Sequence, residues 1–185
     1  MSVKASSGSL LIAPPKFPAG CFTETVHLVT HHTNGGTFAL CMNQPTNLSL
    51  QNILVDLDIA ATINFPMYWG GPVDPSSVWM LHDSEWGCGG TIQFHQEWAM
   101  TSNKEMLYML ADGHVPTHFR LMFGFCSWGR GQLEAEIAGV SPWTPATSWL
   151  VADDPDQTWL MEEPIDELWH SATALCATQA INKWI

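Results

Sequence analysis

The chain has 185 residues, about one domain's worth of protein. Hydrophobic residues make up 46% and charged residues only 13%, which excludes intrinsic disorder, a state that needs low hydrophobicity and high charge. Six basic residues against 18 acidic ones leave a formal net charge of −12, which argues against direct nucleic-acid binding because phosphate contacts need clustered Lys and Arg.

The longest clean apolar runs, such as residues 10–13 and 53–55, are only a few residues long. A membrane span needs about 20 apolar residues and a secretory core about 7–15. The expectation is a cytoplasmic protein without a membrane anchor. Five cysteines at 21, 41, 88, 126 and 176 contain no Cys-x-x-Cys and read as free thiols in a reducing compartment.

In chain order, residues 9–14 form a short apolar strand stopped by Pro14-Pro15. Residues 22–32 and 37–43 are rich in β-forming side chains and flank Thr33-Asn34-Gly35-Gly36, a hairpin signal that pairs them antiparallel. Leu50, Ile53, Leu54 and Leu57 recur at helical spacing behind Ser49 as N-cap. Residues 67–69 lead into Gly70-Gly71-Pro72, a backbone that can turn sharply. Residues 78–82 and 91–95 read as strands around a Gly-rich loop at 87–90. Ser102 with Glu105 forms a capping box that opens a helix closed by Gly113.

Residues 118–126 are a strong strand, 132–138 a short helix ending at Gly139, and 148–152 a further strand. Pro164 opens a last helix whose apolar stripe is Ile165, Leu168, Trp169, Ala172, Leu175 and Cys176, with Asp166 and Glu167 near its N-terminus. Hairpin signals and the absence of a regular strand–helix alternation make the class α+β, in a single domain over 1–185.

Chemistry is sparse. His31, His32, His82, His95 and His114 could converge on zinc, but there is no His-Glu-x-x-His and no cysteine pair. Adjacent strand residues also face opposite ways. No metal and no cofactor is expected. Around Cys126 and Ser127 the glycines at 124 and 129 do not bracket one nucleophile as a Gly-x-Ser-x-Gly elbow does. A strand-to-helix turn explains them. Gly129-Arg130-Gly131 before a helix is neither a dinucleotide nor a P-loop fingerprint, and suits a tight turn that brings Trp128 against the core. No Lys or Arg occurs between Arg130 and Lys183, and seven acids crowd residues 153–167. That is a solvated face or a docking surface for a basic partner.

Several blocks, in order, resemble the AlgH/YqgE family of bacterial proteins. They are Ser9-Leu10-Leu11-Ile12-Ala13, Leu40-Cys41-Met42-Asn43-Gln44-Pro45, Gly70-Gly71-Pro72-Val73, Met80-Leu81-His82, Thr101-Ser102-Asn103-Lys104-Glu105, Gly124-Phe125 to Trp128, and Gly131-Gln132-Leu133-Glu134-x-Glu136-Ile137. The match runs from about residue 8 to 159. The resemblance implies bulged, largely antiparallel and partly overlapping sheets with a few flanking helices, and no established reaction. Its transcriptional-regulator label brings no helix-turn-helix with it. The expected role is therefore regulatory, through a protein partner or small-molecule ligand. This chain departs from the family in carrying Gln44 where Arg is common, and Cys126 and Ser127 where small residues are common.

The aligned polar residues His32, Asn43, His82, Gln132 and Glu134 are expected to line a groove beside Gly70, Gly71, Pro72 and Trp128, or else to satisfy buried backbone groups. Two further readings remain: a hydrolytic or metal-dependent enzyme using His32, His82 and Glu134, and a small-ligand module around Trp69 and Trp128.

Overall fold

A computed structural model describes residues 4–18 and 20–183. Within them are ten strands and five helices. The strands are β1 (Leu10–Ile12), β2 (Val26–Thr33), β3 (Gly36–Cys41), β4 (Pro45–Ser49), β5 (Pro66–Trp69), β6 (Val73–Asp83), β7 (Ile92–Gln93), β8 (Trp98–Thr101), β9 (Phe119–Gly129) and β10 (Leu150–Ala152). The helices are α1 (Leu50–Asp56), α2 (Glu105–Ala111), α3 (Gln132–Ala138), α4 (Gln157–Glu162) and α5 (Leu168–Asn182). The fold is α+β.

The strand order is β10-β1-β2-β3-β9-β6-β8-β7, with β4 and β5 set beside β9. All pairings are antiparallel except β5 with β9. The long β9 joins two sheets. Its residues 126–129 pair with β3, while residues 121–123 pair with β5 and most of 119–125 with β6. Register shifts between Val29 and His31 in β2 and between Val73 and Val78 in β6 bend the strands. The chain therefore curls rather than lying as one flat sheet.

Both faces of the first sheet are buried, which explains the unbroken apolar run of β1. Leu10 and Ile12 enter a core with Leu28, Leu40, Met122, Leu168 and Ala172. Leu11 enters the opposite core with Ala39, Cys126, Trp128, Leu133 and Trp149. A third cluster packs α1 and α2 against β5, β6 and β9 through Leu54, Met67, Met80, Leu107 and Leu121. Arg120, buried on β9, lies over the Tyr68 ring at 5.0 Å and donates to the Met42 and Met161 carbonyls.

The predicted hairpin forms, but β2 begins only at Val26, because residues 21–24 are turn and Glu24 has a positive φ of 53°. Ser49 precedes α1, and its N–H donates to Asn52 Oδ1 at 2.9 Å. The Ser102 capping box does not form. Helix α2 starts two residues later, where Asn103 Oδ1 accepts the Glu105 N–H at 3.0 Å. The Glu105 carboxylate turns instead to the Gly89 N–H at 2.8 Å. The strand expected at 91–95 shrinks to β7, and its partner β8, buried throughout, is a strand the pattern did not indicate. Strand β4 and helix α4 were likewise not anticipated. Asp156 caps α4 by accepting the Trp159 N–H at 2.8 Å.

Candidate functional site

The turn from β9 into α3 builds the most chemically shaped region of the molecule. Gly131, at φ 72°, swings the chain from the strand into the helix. Helix α3 then lies against β3 and β9, and its Gln132 and Glu136, one turn apart, share a face. Glu136 is 6% exposed. One carboxylate oxygen accepts the indole N–H of Trp128 at 2.9 Å and of Trp149 at 2.7 Å. The other accepts Gln132 Nε2 at 3.0 Å. Hydrogen bonds to a carboxylate are the strong kind. Among the described residues no Lys, Arg or His forms an ion pair with it.

Beside this clasp is a cavity of about 270 Å³. Trp128, Trp149, Cys126 and Glu136 are its buried floor. Phe17, Phe22 and Trp143 are half-buried walls, and Pro72, Ser127 and Gln132 stand at the exposed rim.

Cys126 faces a buried histidine. Its Sγ is 3.4 Å from His27 Nδ1, and His27 Nε2 is 2.8 Å from Thr25 Oγ1. Burial pulls His27 down to about 3 and pushes the Cys126 thiol well above its ordinary range. At neutral pH the pair is thiol and imidazole, without the thiolate that a nucleophile needs.

The residues singled out from sequence separate into three groups. Pro72, Trp128 and Gln132 meet at the cavity. Trp69 stays behind it, its ring 6.1 Å from Phe22. His32 and Glu134 pair with each other at 3.5 Å, and His32 Nδ1 is 2.7 Å from Thr37 Oγ1. They lie on the outer side of the hairpin and α3, half-buried and exposed respectively. Such a pair contributes about 0–1 kcal/mol.

Asn43, Gly70, Gly71 and His82 serve the backbone. Asn43 Oδ1 accepts the Val26 N–H at 2.9 Å and its Nδ2 donates to the Glu24 carbonyl at 2.8 Å. Gly70 and Gly71 press on the backbone of Gly124 and Phe125. His82 pairs in register with Phe119, nine residues along β9 from Trp128, or about 30 Å of strand. The structure therefore does not join His82 to His32 and Glu134, nor to the groove expected beside Trp128.

His82 is fully buried, with Nδ1 2.7 Å from the Asp83 carbonyl and Nε2 3.0 Å from Thr101 Oγ1. His82→Ala is expected to lower stability by about 2–4 kcal/mol, through a cavity and two lost hydrogen bonds. Ligand binding at the α3 cavity should be unchanged in the folded fraction. Urea unfolding and a binding titration on the same sample check both halves.

Sequence reasoning missed Phe17, Phe22, Trp143, Trp149 and Glu136. The available signal was Glu136 four residues after Gln132. The aromatic residues come from loops, whose convergence no periodicity announces.

Comparison with known proteins places this architecture. A family model described as AlgH-like (DUF179) matches residues 10–180. The likeness therefore continues through most of α5, past residue 159 where the sequence motifs fade. A UPF0301 protein of Methylococcus capsulatus is 31% identical over 169 residues, covering 89% of this chain and 86% of its own. One of Burkholderia cenocepacia is 31% identical over 176 residues, covering 91% and 87%. The solution structure of AlgH from Pseudomonas aeruginosa superposes with a TM-score of 0.76 at 28% identity, covering 94% of this chain and 92% of that one. A crystal structure of a Corynebacterium diphtheriae protein, at 19% identity and a TM-score of 0.70 over 92% and 87%, shares the fold.

Proposed function

Because the chain belongs to the AlgH-like family, whose UPF0301 relatives bear names that state no reaction, we propose that it is a regulatory protein that responds to a small molecule held in the α3 cavity. One observation carries this reading. Pro72, Trp128 and Gln132, three of the nine residues expected from sequence to share a groove, line a cavity with aromatic walls and a single oriented carboxylate. Apolar walls with a few placed polar groups are what ligand sites use. At about 270 Å³ the space is slightly below the roughly 300–1,000 Å³ of drug-sized sites, so the occupant is small.

The enzymatic reading has less support. His32 and Glu134 are together, but His82 is far along β9, and Cys126 is protonated. Regulation would pass to a protein partner, since a net charge of −12 repels nucleic acid. The exposed acids Asp154, Asp156, Glu162, Asp166 and Glu167 offer a basic partner its surface.

A panel of small neutral, anionic and cationic metabolites, titrated against intrinsic tryptophan fluorescence, tests the reading. At least one class is expected to quench saturably, because the two clasped indoles form the floor. Trp143→Ala, which removes a half-buried wall, should weaken that binding about tenfold or more, with the unfolding midpoint nearly unchanged. Absence of any saturable quenching, or equal affinity in the variant, would overturn it.

A further inference from the structure

Resting on that cavity reading, we infer that its ligand is a small organic cation, an alkylated ammonium. The inference follows from what surrounds the space. Glu136 is a buried carboxylate whose donors are all neutral: two indole N–H groups and one amide. Neutral donors solvate a carboxylate but do not cancel its charge. With no Lys, Arg or His ion pair among the described residues, the cavity keeps a net negative potential at its floor. Fields from a buried charge are screened little by water, so an entering cation is attracted and an anion repelled.

The walls point the same way. Five aromatic rings border the space: Phe17, Phe22, Trp128, Trp143 and Trp149. Three pairs meet at steep angles, while Phe17 is tilted at 35° to Trp143 and 47° to Trp149. Trp128 and Trp149 stand at 83° with centroids 5.9 Å apart, Phe22 and Trp149 at 76° and 5.9 Å, and Phe17 and Phe22 at 86° and 6.4 Å. A lining of several aromatic rings is what recognises quaternary ammonium groups, whose charge is diffuse and whose surface is methyl. The Glu136 clasp strengthens this. An indole that donates its N–H to a carboxylate is polarised toward a more negative ring, as linked hydrogen bonds polarise one another. One residue thus supplies a charge and raises the cation affinity of two walls.

An ordinary protonated amine fits less well. It would need hydrogen-bond acceptors for its N–H groups, and the oxygens of Glu136 already receive three donors. An alkylated ammonium makes no such demand. The size agrees too, because a trimethylammonium head with a short tail suits a cavity of about 270 Å³.

The test compares two probes of one shape, choline and its uncharged isostere 3,3-dimethylbutan-1-ol. Both are titrated at about 0.15 M salt, where diffuse attraction to the acidic surface is screened. The readouts are tryptophan fluorescence and the indole N–H resonances of Trp128 and Trp149. Choline is expected to bind at least tenfold more tightly and to shift both indole resonances. Glu136→Gln should remove most of that preference. Should Glu136→Gln fail to fold, Phe22→Leu decides, since it keeps the wall apolar and removes one ring face. It should weaken choline about fivefold or more and leave the alcohol within twofold. Equal or tighter binding of the alcohol overturns the cation assignment while the cavity stands as a ligand site. If neither probe shifts the indoles and the metabolite panel is also silent, the cavity reading itself falls.

Discussion

Gly71→Ala is expected to abolish the fold. A Cβ built there would lie 2.1 Å from the Phe125 carbonyl carbon, 2.2 Å from its oxygen and 2.5 Å from the Cys126 nitrogen, at a φ of +155°. All three are backbone atoms of the central strand and cannot yield as a flexible side-chain end does. The reason lies in the topology. Strand β5 pairs along one side of β9 and β6 along the other, so residues 70–72 must carry the chain across β9 itself. That crossing needs bare backbone on both partners. Gly70 and Gly124 are part of it, since a Cβ on Gly70 would lie 2.4 Å from the Gly124 oxygen and one on Gly124 2.4 Å from the Gly71 oxygen. The cost should exceed about 4–5 kcal/mol, in the range of the severest single substitutions. Gly113→Ala is the control. It has a φ of +85° with open space around it, and should cost only about 1 kcal/mol, or about 2–4 °C in a chain of this size. Circular dichroism and thermal unfolding of the two variants check this. A Gly71→Ala protein melting as high as the control would refute the crossing argument.

That crossing also shows where the sequence was legible. Gly70-Gly71-Pro72 reads as a sharp turn, and it is one. Nothing in the three letters says that the turn passes over β9, a strand 50 residues further on. The same division holds elsewhere. The β2–β3 hairpin, α1, α3 and α5 declare themselves because their signals are local: a turn dipeptide, an apolar period, a glycine at a helix end. Strand β8 escapes notice because it is buried throughout, so its four residues show no alternation. For the site, the polar residues were legible as a set but not by destination. His82 and Gln132 both look like candidates at element ends, yet β9 separates them by about 30 Å of strand. The cavity walls Phe17, Phe22, Trp143 and Trp149 lie outside the strands and helices, and only tertiary folding brings them to α3. Glu136 stands in the same family-like block as Glu134, and the block does not say which of the two is buried. On a helix the two residues point to different faces, one to solvent and one to the tryptophans.

The largest effect of solution conditions should come from His27. In the folded chain it is fully buried and neutral, hydrogen-bonded to Thr25 and Cys126, and burial lowers it from 6.5 to about 3. The unfolded chain therefore holds one more proton than the native state between pH 6.5 and about 3. Stability rises with pH wherever the unfolded state binds more protons, so here it is lost as pH falls through that window. One proton contributes about 1.4 kcal/mol per pH unit. Across the whole window the loss is on the order of 5 kcal/mol, comparable to the entire stability of a marginal domain. His82 is also lowered by burial and acts in the same direction. Urea unfolding at half-unit steps from pH 7.5 to 5 should show a falling midpoint from about pH 6.5 downward. In His27→Gln, which cannot take up that proton, the starting stability should be lower but the slope shallower by about one proton. Parallel slopes in parent and variant would mean that His27 is not the group responsible. The same neutrality bears on the cavity. Folded His27 takes no proton above about pH 3, so it places no cation against Cys126 behind the cavity floor within this window. His27→Gln should therefore leave the pH dependence of choline affinity in the folded fraction unchanged while it flattens that of stability.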